Sequence, residues 1–414
     1  MHPVARRNLD FVTALLIVGL LAGVAGLSTS LALRFVEHLT YHYSFGSLLS
    51  GVRGSSRFRR AVGPMVGGAL AGLGWWMLRS RTDVRPLIQA IVDRDRIPLL
   101  PFGIDALLQV VLVGSGASLG REGAPRQFAA ALADLGIGWL KRLPPRDREI
   151  LLACAAGAGL GAVYAVPVGG ALFSARIVLK TWHPRAVGAA LVTSSVAVAI
   201  GSAATHDKPT LAWPTAASSP LLAAHALALA PLTLVVGLGF NRLMALASNP
   251  MRSWVLVPAI AAAGLLIGIC SQWWPELPGN GKSILTVSLT SGMTLTAAAV
   301  ILVLKPALTA LFLRAGAAGG MLTPSLATGA ATGSVFVLTV NTLAGADIHV
   351  PAISLAGAAG VLAVTQRAPL WAAVFVWELA APPLWLLAVF LAAAAGSHGL
   401  RVLTERHRVI AAAA

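Results

Sequence analysis

Long apolar runs separated by short arginine-rich stretches dominate this chain of 414 residues. Runs near or above the length of a membrane span lie at about residues 11–36, 186–203, 221–247, 254–273 and 285–313. A helix needs roughly 20 apolar residues to cross the hydrocarbon core. The pattern predicts an all-α, multi-pass membrane protein whose main environment is the lipid bilayer. The runs are interrupted more often than straight spans would be. The chain holds 42 glycines and 24 prolines. Their frequency predicts tilted, broken and re-entrant helices, which membranes tolerate where the freed backbone is buried or lines a cavity.

Composition agrees with this picture. Mean hydropathy is +0.79 and 11% of residues are charged. The net charge of +16 would suggest nucleic acid in a soluble protein. Here the arginines cluster in short loops at 79–96 and 141–148, in the tail at 401–408, and at Arg6 and Arg7. That distribution favours cytoplasmic termini and loops, with no nucleic-acid partner. Arg53, Arg57, Arg59 and Arg60 fit the rule less well. Cys154 and Cys270 stand in apolar segments and read as small core residues. The first run is too long for a cleavable signal and no small-residue cleavage site follows it, so no cleavable signal is expected. The histidines show no metal-ligand spacing within a span, and no cofactor is expected.

The chain divides into two halves, 9–204 and 220–398, joined by a polar linker at 205–219. Residues 1–8 and 399–414 read as cytoplasmic ends. The halves resemble each other. The run from Gly157 to Phe173 lies over that from Ala359 to Phe375, so that Leu160 meets Leu362 and Pro167 meets Pro369. The glycine-rich stretch beginning at Gly120 lies over the one beginning at Gly319. Repeats at this scale suit transporter folds, in which broken helices meet at a site near the midplane.

Gly120-Arg121-Glu122-Gly123 is the strongest candidate site. A charge at membrane depth is costly and usually faces a protein interior or a water-filled path. Its alternative is a solvated loop between spans. Helices beginning after this stretch and after Gly319-Gly320-Met321-Leu322-Thr323-Pro324 would aim free N–H groups at one point. Such a point binds anions without a buried cation. Gly120, Arg121 and Gly123 are the candidates from the first half, and Gly320, Met321 and Leu322 those from the second.

These residues resemble the CLC family of chloride channels and chloride/proton antiporters, in its prokaryotic-type members without a cytoplasmic nucleotide-binding domain pair. Gly120-Arg121-Glu122-Gly123 matches the family's G-[KR]-E-G-P, with Ala124 where proline is usual. The stretch from Gly319 to Pro324 matches G-G-x-F-x-P, with Leu322 for phenylalanine. Arg367-Ala368-Pro369-Leu370 with Glu378, and the run from Pro167 to Phe173, resemble further family segments. The resemblance implies two inverted-topology repeats and a homodimer with one anion path per subunit. It implies Glu122 as a gating glutamate and backbone amides at Met321 and Leu322 as anion contacts.

The chain departs from the family at three places. The family's anion-binding serine aligns near Thr82-Asp83-Val84-Arg85-Pro86, which leaves Thr82, a neighbouring amide or Arg85 as substitute. The family's inner tyrosine has no counterpart, since the only tyrosines are Tyr41, Tyr43 and Tyr164. The antiporters' inner proton-relay glutamate falls at Ile177, beside Arg176. An isoleucine cannot relay a proton.

Two other signals carry less. Gly279-Asn280-Gly281-Lys282-Ser283 resembles the end of a P-loop, but Glu276 stands where its first glycine should be. It reads instead as a helix start in the second half. Ser115 would suit an intramembrane serine hydrolase, an enzyme reading that needs a histidine base; His225 is the one histidine well inside an apolar run. The expected function is therefore non-enzymatic: transport of chloride or a similar small anion in the inner membrane of a prokaryote, channel-like or weakly proton-coupled. Its alternatives are a chloride/proton antiporter with a substitute proton route and a fluoride/proton exchanger.

Overall fold

A computed structural model of the protein describes residues 3–140, 143–203, 213–214, 219–248 and 251–413, with side chains described for 8–407 of these. The linker at 205–219 and the ends at 1–8 and 408–414 fall wholly or largely outside the described residues or side chains, as do Lys141 and Arg142.

Eighteen α-helices form among the described residues. The first half holds α1 (Pro3–Tyr41), α2 (Leu48–Gly54), α3 (Arg57–Arg79), α4 (Leu87–Val92), α5 (Leu99–Gly114), α6 (Gly123–Ile137), α7 (Pro145–Tyr164), α8 (Pro167–Leu172) and α9 (Pro184–Ala203). The second half holds α10 (Leu221–Ala228), α11 (Ala230–Ala247), α12 (Leu256–Cys270), α13 (Lys282–Leu289), α14 (Leu295–Arg314), α15 (Leu322–Ala344), α16 (Val350–Gln366), α17 (Pro369–Ala380) and α18 (Leu386–Ala413). A π-helical turn, Phe173–Val178, extends α8.

Seven of the described helices are long and apolar enough to cross a membrane, and α5, α12, α16 and α17 are shorter apolar helices. The apolar pattern anticipates most of them but not their breaks. The run at 221–247 is two helices meeting at Leu229. The run at 285–313 is divided between α13 and α14, where Ser291 takes a positive φ of 53°. The spans α3, α15 and α18 lie outside those runs; arginines, glycines and threonines dilute the first two.

The helix order recurs between the halves. A left-handed residue closes α7 (Ala165, φ 57°) and α16 (Arg367, φ 56°), and proline then opens α8 and α17. Proline suits a first turn because its missing N–H would be orphaned there anyway. Both α7 and α16 are buried on every side over most of their length. Such all-round apolar helices form the middle of a membrane bundle. Alanine and glycine dominate both, which lets neighbouring backbones approach closely. Similar contact joins α3 to α12, where a Cβ on Gly264 would fall 2.1 Å from the Pro64 carbonyl oxygen.

Glu378, on α17, reaches across to the first half. Its carboxylate accepts from the backbone N–H groups of Val168 and Gly169 at the start of α8. A carboxylate there satisfies N–H groups that no helical carbonyl can reach. Trp371 Nε1 donates to the Gly169 carbonyl at 2.9 Å beside it. Glu378 thus ties the two halves together.

Candidate functional site

The two glycine-rich breaks meet in the centre of the protein. Gly120 N–H donates to the Gly320 carbonyl at 2.6 Å, and Gly320 N–H donates back to the Gly120 carbonyl at 3.0 Å. This isolated antiparallel bridge is the one contact of its type among the described residues. It pairs Gly120 with Gly320, one position along from the Gly319 that sequence similarity aligns with it. Upstream, Gly116 (φ 110°) and Gly316 (φ 88°) turn the chain out of α5 and α14. Only glycine adopts that conformation without strain.

Glu122 follows the first break and is fully buried. Its carboxylate lies across the start of α15. Leu322 N–H donates to Oε1 at 2.7 Å and Thr323 N–H donates to the same oxygen at 3.3 Å. Thr323 Oγ1 donates to Oε2 at 2.7 Å, and Tyr164 OH donates to Oε2 at 3.3 Å. Removing a carboxylate from water costs several kcal/mol, and charge-assisted hydrogen bonds to both oxygens offset that cost. The positive end of the α15 dipole adds to the compensation. The arrangement is an anion site whose occupant is the protein's own side chain.

The other candidates take distinct places. The N–H groups of Gly120 and Gly320 are spent on each other, so neither is free to donate to an anion. Their role is close approach. A Cβ on Gly320 would sit 2.1 Å from Glu122 Oε1, and one on Gly120 would sit 2.2 Å from both carboxylate oxygens. Gly123 opens α6 and lies against Gln109. Leu322 donates its amide to Glu122, whereas Met321 caps α15 with no hydrogen bond to Glu122 among the described residues. Arg121 turns away from the carboxylate. Its guanidinium lies over the Tyr164 ring at 4.8 Å and donates to the Val163 carbonyl at 3.2 Å.

A cavity of about 630 Å³ leads to this point. Its lining runs from the exposed Arg252–Asp83 ion pair to Gly123, Met321 and Leu322. Thr82 does not line it, in contrast to the expectation that it replaces the family serine. The Thr82 hydroxyl is buried without a hydrogen-bond partner among the described residues. Its neighbours Asp83 and Arg85 do line the cavity. Backbone direction explains this, because Thr82 N–H still bonds back to Leu78 at the end of α3. Asp105, Gln109 and Gln127 line one wall. Asp105 accepts from Trp75 Nε1 at 2.8 Å and from the side-chain amides of Gln109 and Gln127 at 2.8 and 2.9 Å.

Sequence reasoning missed Thr323 and Tyr164. Thr323 carried a signal, as a hydroxyl residue next to the expected anion contact. Tyr164 carried none, since only the turn at Ala165 brings the end of α7 to the site. Ile177 lies in the π-helical turn, half-buried, with Arg176 beside it over the Trp182 ring at 4.5 Å. The P-loop-like stretch is a helix start: Gly281, at φ 101°, caps α13. Ser115 Oγ donates to the Val111 carbonyl at 2.7 Å, and His225 Nδ1 bonds to the Leu221 carbonyl, so nothing pairs them as a nucleophile and base. No group of residues suited to a metal ion occurs among the described residues.

Residues 67–400 match the family model described as voltage gated chloride channel. The chain belongs to that family. This CLC protein is 28% identical over 375 residues to the voltage-gated ClC-type chloride channel ClcB of Escherichia coli O81 (strain ED1a), covering 88% of this chain and 89% of that one. Among solved structures, a slow cyanobacterial Cl−/H+ antiporter matches with a TM-score of 0.77 at 20% identity, covering 98% of each chain. A CLC-type fluoride/proton antiporter matches with a TM-score of 0.69 at 19% identity, covering 92% of this chain and 94% of that one. The CLC protein is thus an integral, multi-pass membrane protein of the CLC fold, and its family transports anions rather than catalysing reactions.

Proposed function

We propose that this protein moves chloride, or a small anion like it, across the inner membrane of a prokaryote, with Glu122 as the gate. The observation that carries the proposal is the carboxylate of Glu122 on the Leu322 and Thr323 amides. While ionised it competes with the transported anion for these donors. Protonation removes the charge and releases them. Flux therefore rises as pH falls. The chloride channel and Cl−/H+ antiporter among the relatives support chloride as cargo.

Proton coupling is weak or absent in this proposal. Ile177 cannot carry a proton, and the neighbouring Arg176 stays charged in a protein. The second reading is chloride/proton exchange by another route. It draws on the Tyr164 hydroxyl beside Glu122 and on the two antiporters of like fold. Fluoride/proton exchange rests on the fold of one of these alone. Two such subunits, each with its own path, form the homodimer we propose, joined through the apolar helices near 186–203 and 381–397.

Liposomes carrying the purified protein and a chloride gradient test both readings. Chloride efflux and proton movement are followed together. Chloride efflux with little proton movement is expected. Uphill proton transport at a fixed ratio would establish the exchange reading instead, and no anion flux at pH 5 or pH 7 would overturn the proposal.

A further inference from the structure

Four arginines line the 630 Å³ cavity: Arg79, Arg85, Arg126 and Arg252. Three are engaged at their terminal nitrogens. Arg79 Nη1 donates to the carbonyls of Met251 and Gly316, Arg85 pairs with Asp95 at 2.7 Å, and Arg252 pairs with Asp83 at 2.9 Å. Arg126 differs. Its Nε donates to the Glu122 carbonyl at 2.8 Å, which fixes the guanidinium one turn into α6. The Phe173 ring packs against it, with the guanidinium carbon 5.2 Å from the ring centroid. Its two terminal nitrogens have no hydrogen-bond partner among the described residues. Asp105, on the same cavity wall, is satisfied by Trp75, Gln109 and Gln127 and makes no ion pair with it.

A cation held at one nitrogen, stacked on a ring and free at the other two is set to receive an anion. Guanidinium donors form short, strong hydrogen bonds to anions. The group keeps its charge throughout the physiological pH range. Met321 and Leu322, at the positive end of the α15 dipole, line the same cavity.

We propose that Arg126 is an anion-binding residue of this path. Its terminal nitrogens hold a small monovalent anion within the cavity, before that anion meets Glu122 at the start of α15. This inference rests on the proposed transport function. It assigns a side-chain contact in a cavity that Thr82 does not reach.

Chloride titration of the purified full-length protein in detergent tests it, with wild type compared against Arg126→Gln. Loss of a charged donor pair should weaken chloride binding about ten-fold or more. Unchanged affinity in a monodisperse Arg126→Gln protein overturns the assignment, while wild-type chloride flux in liposomes would show the transport proposal still standing. Wild-type protein that neither binds nor moves chloride would remove both. If the variant fails to fold, crystals of the unaltered protein grown in bromide decide the matter by anomalous scattering. A bromide within about 4 Å of the Arg126 guanidinium supports the assignment. Bromide bound in the cavity but away from Arg126, or absent from it, overturns it.

Discussion

Gly116 and Gly316 both leave their helices at positive φ, and Gly120 and Gly320 then pair with each other across the two halves. From this common backbone the two breaks go on to opposite tasks. The first presents a carboxylate, Glu122. The second presents the free N–H groups of α15 that the carboxylate occupies. The same reversal occurs upstream. Asp105 and Lys305 each stand fifteen residues ahead of their paired glycine. Both are buried and neither has an ion-pair partner among the described residues. Asp105 collects three side-chain donors, whereas Lys305 Nζ donates to the carbonyls of Leu277 at 3.1 Å and Gly279 at 2.6 Å. A repeated fold thus holds its geometry while its charges change sign. Symmetry of backbone positions the site, and asymmetry of side chains gives one half the carboxylate and the other the amides that hold it.

The largest effect should come from breaking the shared backbone. Gly320→Val places carbon atoms where Glu122 Oε1 now lies, 2.1 Å from the new Cβ. Anion flux in liposomes should nearly stop in protein that still elutes as a folded species. Normal conduction would place the path elsewhere.

Removing the asymmetry at Glu122 comes next. Glu122→Gln keeps the shape and removes the charge. Chloride flux should become nearly independent of pH between 5 and 8, held at the level wild type reaches in acid. A variant that retains the wild-type pH profile would show that another group gates the path.

The upstream pair gives a stability effect rather than a transport effect. Lys305→Met leaves the Leu277 and Gly279 carbonyls buried without their donor. A buried acceptor left unpaired costs roughly 1–3 kcal/mol. Thermal unfolding in detergent should occur at a clearly lower temperature, with the pH profile of flux unchanged. An unaltered midpoint would mean that the 277–281 loop does not depend on this lysine.

The smallest effect belongs to Tyr164→Phe. Its bond to Glu122 is 3.3 Å long and is one of four on that carboxylate among the described residues. Its loss should change flux by less than about three-fold, on the scale of one ordinary hydrogen bond. A change in proton movement larger than the change in chloride flux would instead assign Tyr164 to a proton route.

Much of the architecture was legible in the sequence. Apolar periodicity and length identify membrane helices without any knowledge of neighbours, because the lipid acts on each segment separately. The glycine and proline clusters marked the breaks, since they bias the backbone wherever they stand. Glu122 stood out because an ionisable residue between glycines in an apolar chain needs a partner. The hinge at Leu229 and the true length of α3 were not legible, because their composition fits neighbouring patterns equally well.

The sequence by itself thus determined the membrane setting, the repeat, the place of both breaks and the presence of a carboxylate, Glu122, at the first of them. Tertiary structure alone decided what each residue near the breaks touches. It paired Gly120 with Gly320 and withdrew their N–H groups from any anion. It turned Thr82 away from the cavity and brought Thr323 and Tyr164 onto Glu122. It also left the ends of Arg126 free while engaging the three arginines around it. The physical reason is range. Helix formation and insertion follow from local composition, but a hydrogen bond between residues two hundred positions apart exists only once the two halves have docked.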